Sequence, residues 1–81
     1  GTGTKFIVRT FEDSVDEDEL VWHRDKESRH VHVLSGRGWK LQHDDELPLE
    51  LNIGEDHYIP KMTYHRLIKG EDNLVVRIKI T

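Results

Sequence analysis

Residues 29–45 read "RHVHVLSGRGWKLQHDD", and their alternation decides the fold class. Val31 and Val33 interleave with His30 and His32, so the valines take one face of a strand and the histidines the other. Gly36 and Gly38 follow, the residue type that turns a chain through positive φ at no steric cost. Alternation then resumes in "WKLQH", and the stretch reads as a hairpin of two strands around a glycine turn. Outward from it the same period persists. Upstream lie "KFIVRTF" (5–11), the charged connection "DSVDEDE" (13–19) and "ELVWHRD" (19–25). The last of these reads as a strand with Val21, His23 and Asp25 on one face and Leu20, Trp22 and Arg24 on the other. Downstream, "LPLELNIGEDHYIP" (47–60) gives a short strand, a turn at Gly54 and a strand ending at Pro60. "TYHRLIKGEDNLVVRIKIT" (63–81) closes the chain as two strands around the turn chemistry of "KGEDN". No segment carries a sustained helical period. About eight short strands at such spacings predict an all-β protein, an antiparallel barrel or jelly roll.

Composition limits what the fold can do. The 81 residues are expected to form a single domain, with an N-terminal strand at about 4–11 and a barrel over about 19–81. Hydrophobic and charged residues are each 35% of the chain, which means a thin core under a large solvated surface. The formal net charge is −4 and no basic run is present, which excludes a phosphate-neutralising nucleic-acid binder. Without cysteine there are no disulfides, thiolate metal sites or thiol nucleophiles, so histidine and carboxylate must carry any metal. No apolar run approaches the ~20 residues of a membrane span. The expectation is a soluble, cytoplasmic protein with neither nucleic-acid nor membrane partners. Valines lie on one face of the strands at 20–35 and Trp22 and Leu34 on the other, so one face meets water in a lone barrel. Covering Trp22 with a second copy predicts a homodimer.

The "HRD" at 23–25 is not a kinase catalytic loop, since no Gly-rich loop or strand lysine accompanies it and the chain is far too short. More telling are two separated stretches. Residues 23–36 run His23-x-Asp25, three residues, Arg29, six residues, Gly36. Residues 54–65 run Gly54, five residues, Pro60, then "KMTYH" ending on His65. Together, in this order on an all-strand chain, they resemble the two motifs of the cupin superfamily. The resemblance covers roughly residues 20–70 and implies a jelly-roll (double-stranded β-helix) barrel with its functional site inside the mouth. It also marks departures. Asp25 stands where the family has a second histidine, Arg29 at its glutamate, Met62 at its second-motif glycine, and Lys69 where an asparagine often follows.

By position, His23 and His65 carry over as metal ligands. Asp25 can join them chemically, because a carboxylate oxygen binds divalent iron, manganese, nickel or zinc. Arg29 cannot ligate a cation but grips a carboxylate through paired hydrogen bonds. The expected site is thus a metal held by His23, Asp25 and His65 with a small anionic ligand of the carboxylate type at Arg29, and with Gln42, Met62 and Tyr64 as further ligand contacts. Three readings compete. The site serves an enzyme of isomerase or oxygenase type, a non-catalytic ligand-binding or sensory module, or a structural module in which Asp25 and Arg29 form a metal-free ion pair. The HxD…H pattern also resembles iron/2-oxoglutarate oxygenases, whose cosubstrate arginine Arg77 would match, although the chain is small for that class. By the family register His30 and His32 face outward. His43 is expected at a solvated hairpin end, and the orientation of His57 stays open.

Overall fold

A computed structural model describes residues 5–16 and 20–80. Among these, seven strands build two antiparallel sheets: β1 (Lys5–Phe11), β2 (Arg29–Ser35), β3 (Lys40–His43), β4 (Leu49–Glu50), β5 (Asp56–Ile59), β6 (His65–Ile68) and β7 (Leu74–Ile80). One sheet has the order β1-β7-β2-β5 and the other β4-β3-β6. This is the all-β jelly-roll arrangement. The expected onset of the first strand at residue 4 and the acidic positions 17–19 lie outside the described residues.

The hairpin expected over 29–45 does not form. β2 pairs with β5 and β7, whereas β3 pairs with β4 and β6, so "SGRG" carries the chain from one sheet to the other. The local cause is a close crossing with the β6–β7 connection. Gly36 has φ 121°, and a Cβ there would stand 3.0 Å from the Leu74 Cα. Gly70 packs on the Arg37 carbonyl and the Trp39 backbone, where a Cβ has no room. Trp39 is fully buried beneath this crossing and donates its indole N–H to the Asp72 carbonyl at 2.6 Å. Glycines thus permit two chain segments to touch, and the tryptophan fastens them. The hairpin that the sequence does contain joins β3 to β4, with Leu41 opposite Leu49.

Alternation places Val31 and Val33 on the buried face of β2, as the sequence implied, and the structure supplies the rest of the core. Val31 and Val33 of β2, Leu41 of β3, Ile59 of β5 and Leu74, Val76, Ile78 and Ile80 of β7 are buried between the sheets. His30, His32, Arg77 and Lys79 occupy the opposite face of the first sheet, where His30 stacks on Tyr58 and His32 bonds Asp56 at 2.8 Å. β1 forms one edge of this sheet. Its Phe6 and Val8 stand beside Lys79 and Arg77 and are exposed, while Lys5, Ile7, Arg9 and Phe11 share the inner face with the apolar residues of β7.

The strand expected at 19–25 is reduced to an isolated bridge between His23 and His65. Leu20 and Val21 both reach the interior pocket, which a regular strand would forbid. Trp22 remains partly exposed, with the Arg66 guanidinium 4.9 Å from its ring centre. This segment bridges to β6 at the edge of the second sheet.

Candidate metal and ligand site

Three side chains converge at one end of the barrel interior. His65 opens β6 and is buried, His23 comes from the bridging segment and is half exposed, and Asp25 follows two residues later. Backbone bonds hold the elements together: His23 N–H donates to His65 C=O at 3.0 Å, and His65 N–H donates back at 2.9 Å. Met62 N–H donates to the Asp25 carbonyl at 2.7 Å, which ties the acid's own backbone to the turn that precedes His65. Inside that turn the Thr63 hydroxyl donates to the Pro60 carbonyl at 2.6 Å.

Those contacts fix the protonation pattern of both rings. His65 Nδ1 lies 2.9 Å from the Thr63 carbonyl, and His23 Nδ1 lies 3.1 Å from the Val21 carbonyl. A carbonyl only accepts, so each Nδ1 carries the hydrogen and each Nε2 of the neutral ring presents a lone pair. Both Nε2 atoms face the same oxygen: Asp25 Oδ2 is 3.3 Å from that of His65 and 3.9 Å from that of His23. The three donor atoms lie within 4.8 Å of one another. Asp25 Oδ2 is buried and accepts no hydrogen bond. Lone pairs gathered in this way repel unless a positive centre lies among them. A proton is one candidate, but burial, reinforced by the neighbouring His23, lowers the pKa of His65 despite the Thr63 bond and Asp25. A divalent cation is the other. Donors bound at ~2.1 Å to one cation sit about 3.0–3.4 Å apart; the His65–Asp25 pair at 3.3 Å has that spacing, while His23, at 3.9 Å from Asp25 and half exposed, would have to move inward to complete the set. The donor set therefore fits zinc, iron, manganese or nickel.

Arg29 adjoins this group. Its Nε is 3.6 Å from Asp25 Oδ2, is buried and makes no hydrogen bond. The guanidinium compensates Asp25 in charge without satisfying it geometrically. Arg29, His23, Asp25 and His65 share the wall of a cavity of about 420 Å³ between the sheets, whose other lining residues are, apart from Arg9, apolar, such as Leu67, Val76 and Ile78.

Two solved structures share this architecture. One, described as a cupin-2 domain containing protein from Shewanella frigidimarina, is 21% identical over 98% of this chain and 71% of its own, with a TM-score of 0.74. The fold is that of a small cupin-type domain. The other, protein NMB1881 from Neisseria meningitidis, is 19% identical over 100% of this chain and 77% of that one, with a TM-score of 0.69. No protein-family model and no curated protein matches the sequence.

Within the cupin-type domain the remaining expected contacts divide. Gln42 does not line the cavity. Leu41 takes the inward position on β3, and Gln42 turns outward, donating to the Glu46 carbonyl at 3.0 Å and accepting from Arg66 at 2.9 Å. Met62 and Tyr64 line a separate, more open hollow with His43 and Tyr58. Met62, matched to a glycine in the sequence resemblance, has φ 62°, a left-handed backbone that is unfavourable for a residue with a side chain. Arg77 points away from the cavity because β7 alternates and Val76 and Ile78 face in, which removes it as a cosubstrate anchor for the oxygenase-like reading. His43 does end its strand at the hairpin, yet it is half buried, with its ring 6.5 Å from that of His65. His57 lies opposite Val31, with Nε2 buried 3.5 Å from Glu55. The wall residue that the sequence reading missed is Arg9. Its signal was the two-residue spacing from Phe11, which puts both on the inner face of β1.

Proposed function

We propose that this cupin-type domain binds a divalent metal through His23, Asp25 and His65 and, beside it, a small anionic molecule in the barrel cavity. The observation that carries the reading is the convergence of two Nε2 lone pairs on an Asp25 oxygen that no donor satisfies. Three protein ligands leave coordination positions open, and a bound divalent cation would supply Lewis acidity there. The chain's own residues do the rest. Backbone carbonyls at Val21 and Thr63 orient the imidazoles, burial keeps His65 neutral, and the apolar wall excludes water from the anion. With Asp25 balanced by Arg29, a divalent ion leaves the site with net positive charge, and this favours an anion in the open positions.

The test is elemental analysis and calorimetric titration of zinc, manganese, nickel and ferrous iron into chelator-stripped protein. One ion per chain is expected, with affinity lost by more than about a hundredfold in H65A, since even residues that only orient ligands cost 10–100-fold. No uptake by the unmutated chain would leave the cluster as a structural ion-pair network and end this reading.

A further inference from the structure

The cavity carries an arginine at each end. Arg29 and the three donor residues mark one, and Arg9 marks the other. Arg9 faces Val76 across β1–β7, while Arg29 faces Ile80 across β7–β2. Four residues along the strands and two strand spacings separate them, or roughly 16 Å between Cα atoms. The wall between is apolar, from Val76, Ile78 and Leu74 on one sheet to Leu67 and Leu41 on the other. Asp25 is the one acid among the lining residues, and it sits at the Arg29 end. Arg9 is an exposed residue of the edge strand, and its guanidinium carbon lies 4.5 Å over the Phe11 ring, which packs 6.2 Å from the buried Trp39. Among the described residues no carboxylate pairs with Arg9.

We infer that the ligand is a two-ended anion with an apolar middle, of the α,ω-dicarboxylate type, with one end beside Arg29 and the donor triad and the other on Arg9. The inference rests on the anion-binding reading of this same site. A single charge on an apolar chain would leave one guanidinium unmatched, and a short polar dianion would span neither the distance nor the apolar wall.

The experiment follows binding of succinate, suberate and octanoate by amide chemical-shift titration, in metal-loaded and chelator-treated protein, for the unmutated chain, R9Q and R9K. Suberate is expected to bind about tenfold more tightly than octanoate or succinate, the increment of one charge-assisted contact. R9Q should bring suberate down to the level of octanoate while octanoate itself is unchanged, and R9K should restore most of the preference. Equal affinities for suberate and octanoate in the unmutated protein would overturn the proposal, as would an R9Q change that strikes both probes alike. Metal uptake is read separately and should be the same in R9Q as in the unmutated chain. Absent metal uptake with an intact Arg9-dependent preference would sink the metal reading alone.

Discussion

His23 and His65 are joined twice, by a reciprocal pair of backbone hydrogen bonds at 3.0 and 2.9 Å and by edge-to-face rings whose centres are 4.3 Å apart. The backbone pair sets the ring separation, so the ligand geometry is built into a sheet edge and does not depend on loop position. It also makes residues 20–25 hostage to the site, because this segment has little regular pairing elsewhere.

Metal should therefore stabilise the whole domain. At a free concentration 100 times Kd the gain is about 2.7 kcal/mol. For a chain of this size that raises Tm by roughly 10–20 °C. Thermal melts with and without chelator check this, and H23A should abolish the shift while the metal-free protein melts nearly as before, since His23 is half exposed.

Acidification should weaken the metal-free protein. Burial lowers the His65 pKa in the folded state, so below an unfolded value of about 6.5 the unfolded chain binds more protons than the folded one. Stability is thus full above that value, falls as pH drops through it, and levels off once the folded-state pKa is passed. Urea unfolding between pH 8 and 5 in the presence of chelator should show the decline, and H65Q should flatten it.

M62G should stabilise the domain. Met62 holds φ 62°, its side chain is exposed, and the left-handed backbone costs a non-glycine residue about 1 kcal/mol. Part of that returns as unfolded-state entropy of the glycine, leaving a gain of roughly 0.5 kcal/mol. A urea midpoint that moved down would show that Met62 contributes packing that outweighs its strain.

G70A should be severe. The added methyl would press on the Arg37 carbonyl and the Trp39 backbone, both parts of the sheet crossing and neither able to swing aside. A loss of about 3 kcal/mol is expected, the upper range for overpacking, with red-shifted tryptophan fluorescence as Trp39 loosens.

Much of this was readable in the residues. Period-two alternation in β2 separated Val31 and Val33 from His30 and His32, and the apolar pair lies inside with the histidines outside, as the resemblance implied. The resemblance to the cupin motifs pointed to His65 alongside His23 and Asp25, and the structure brings the three to one cavity wall. Strand partnership was not readable. "SGRG" has the glycines of a hairpin turn, and only the packing of Gly36 on Leu74 and of Gly70 on Trp39 reveals a change of sheet. Gln42 was ambiguous for a related reason: parity makes Gln42 and Leu41 opposites, but hydrogen bonds from Arg66 and to Glu46 decide which one faces out. Arg9 escaped notice because its role depends on β1 lying beside β7, at the far end of the chain.

That neighbour relation has a further consequence for how the protein is made. β7, the last strand in the described chain, sits inside its sheet between β1 and β2, and both wait for it. A ribosome delivers β1 through β6 before the strand that unites them, so the nascent chain has no closed cavity and an open, apolar-faced β1 until β7 has been made. Closure of the sheet waits for β7 and must close the long loop between β1 and β7, and chaperone contact during synthesis would fall on the Lys5–Phe11 stretch.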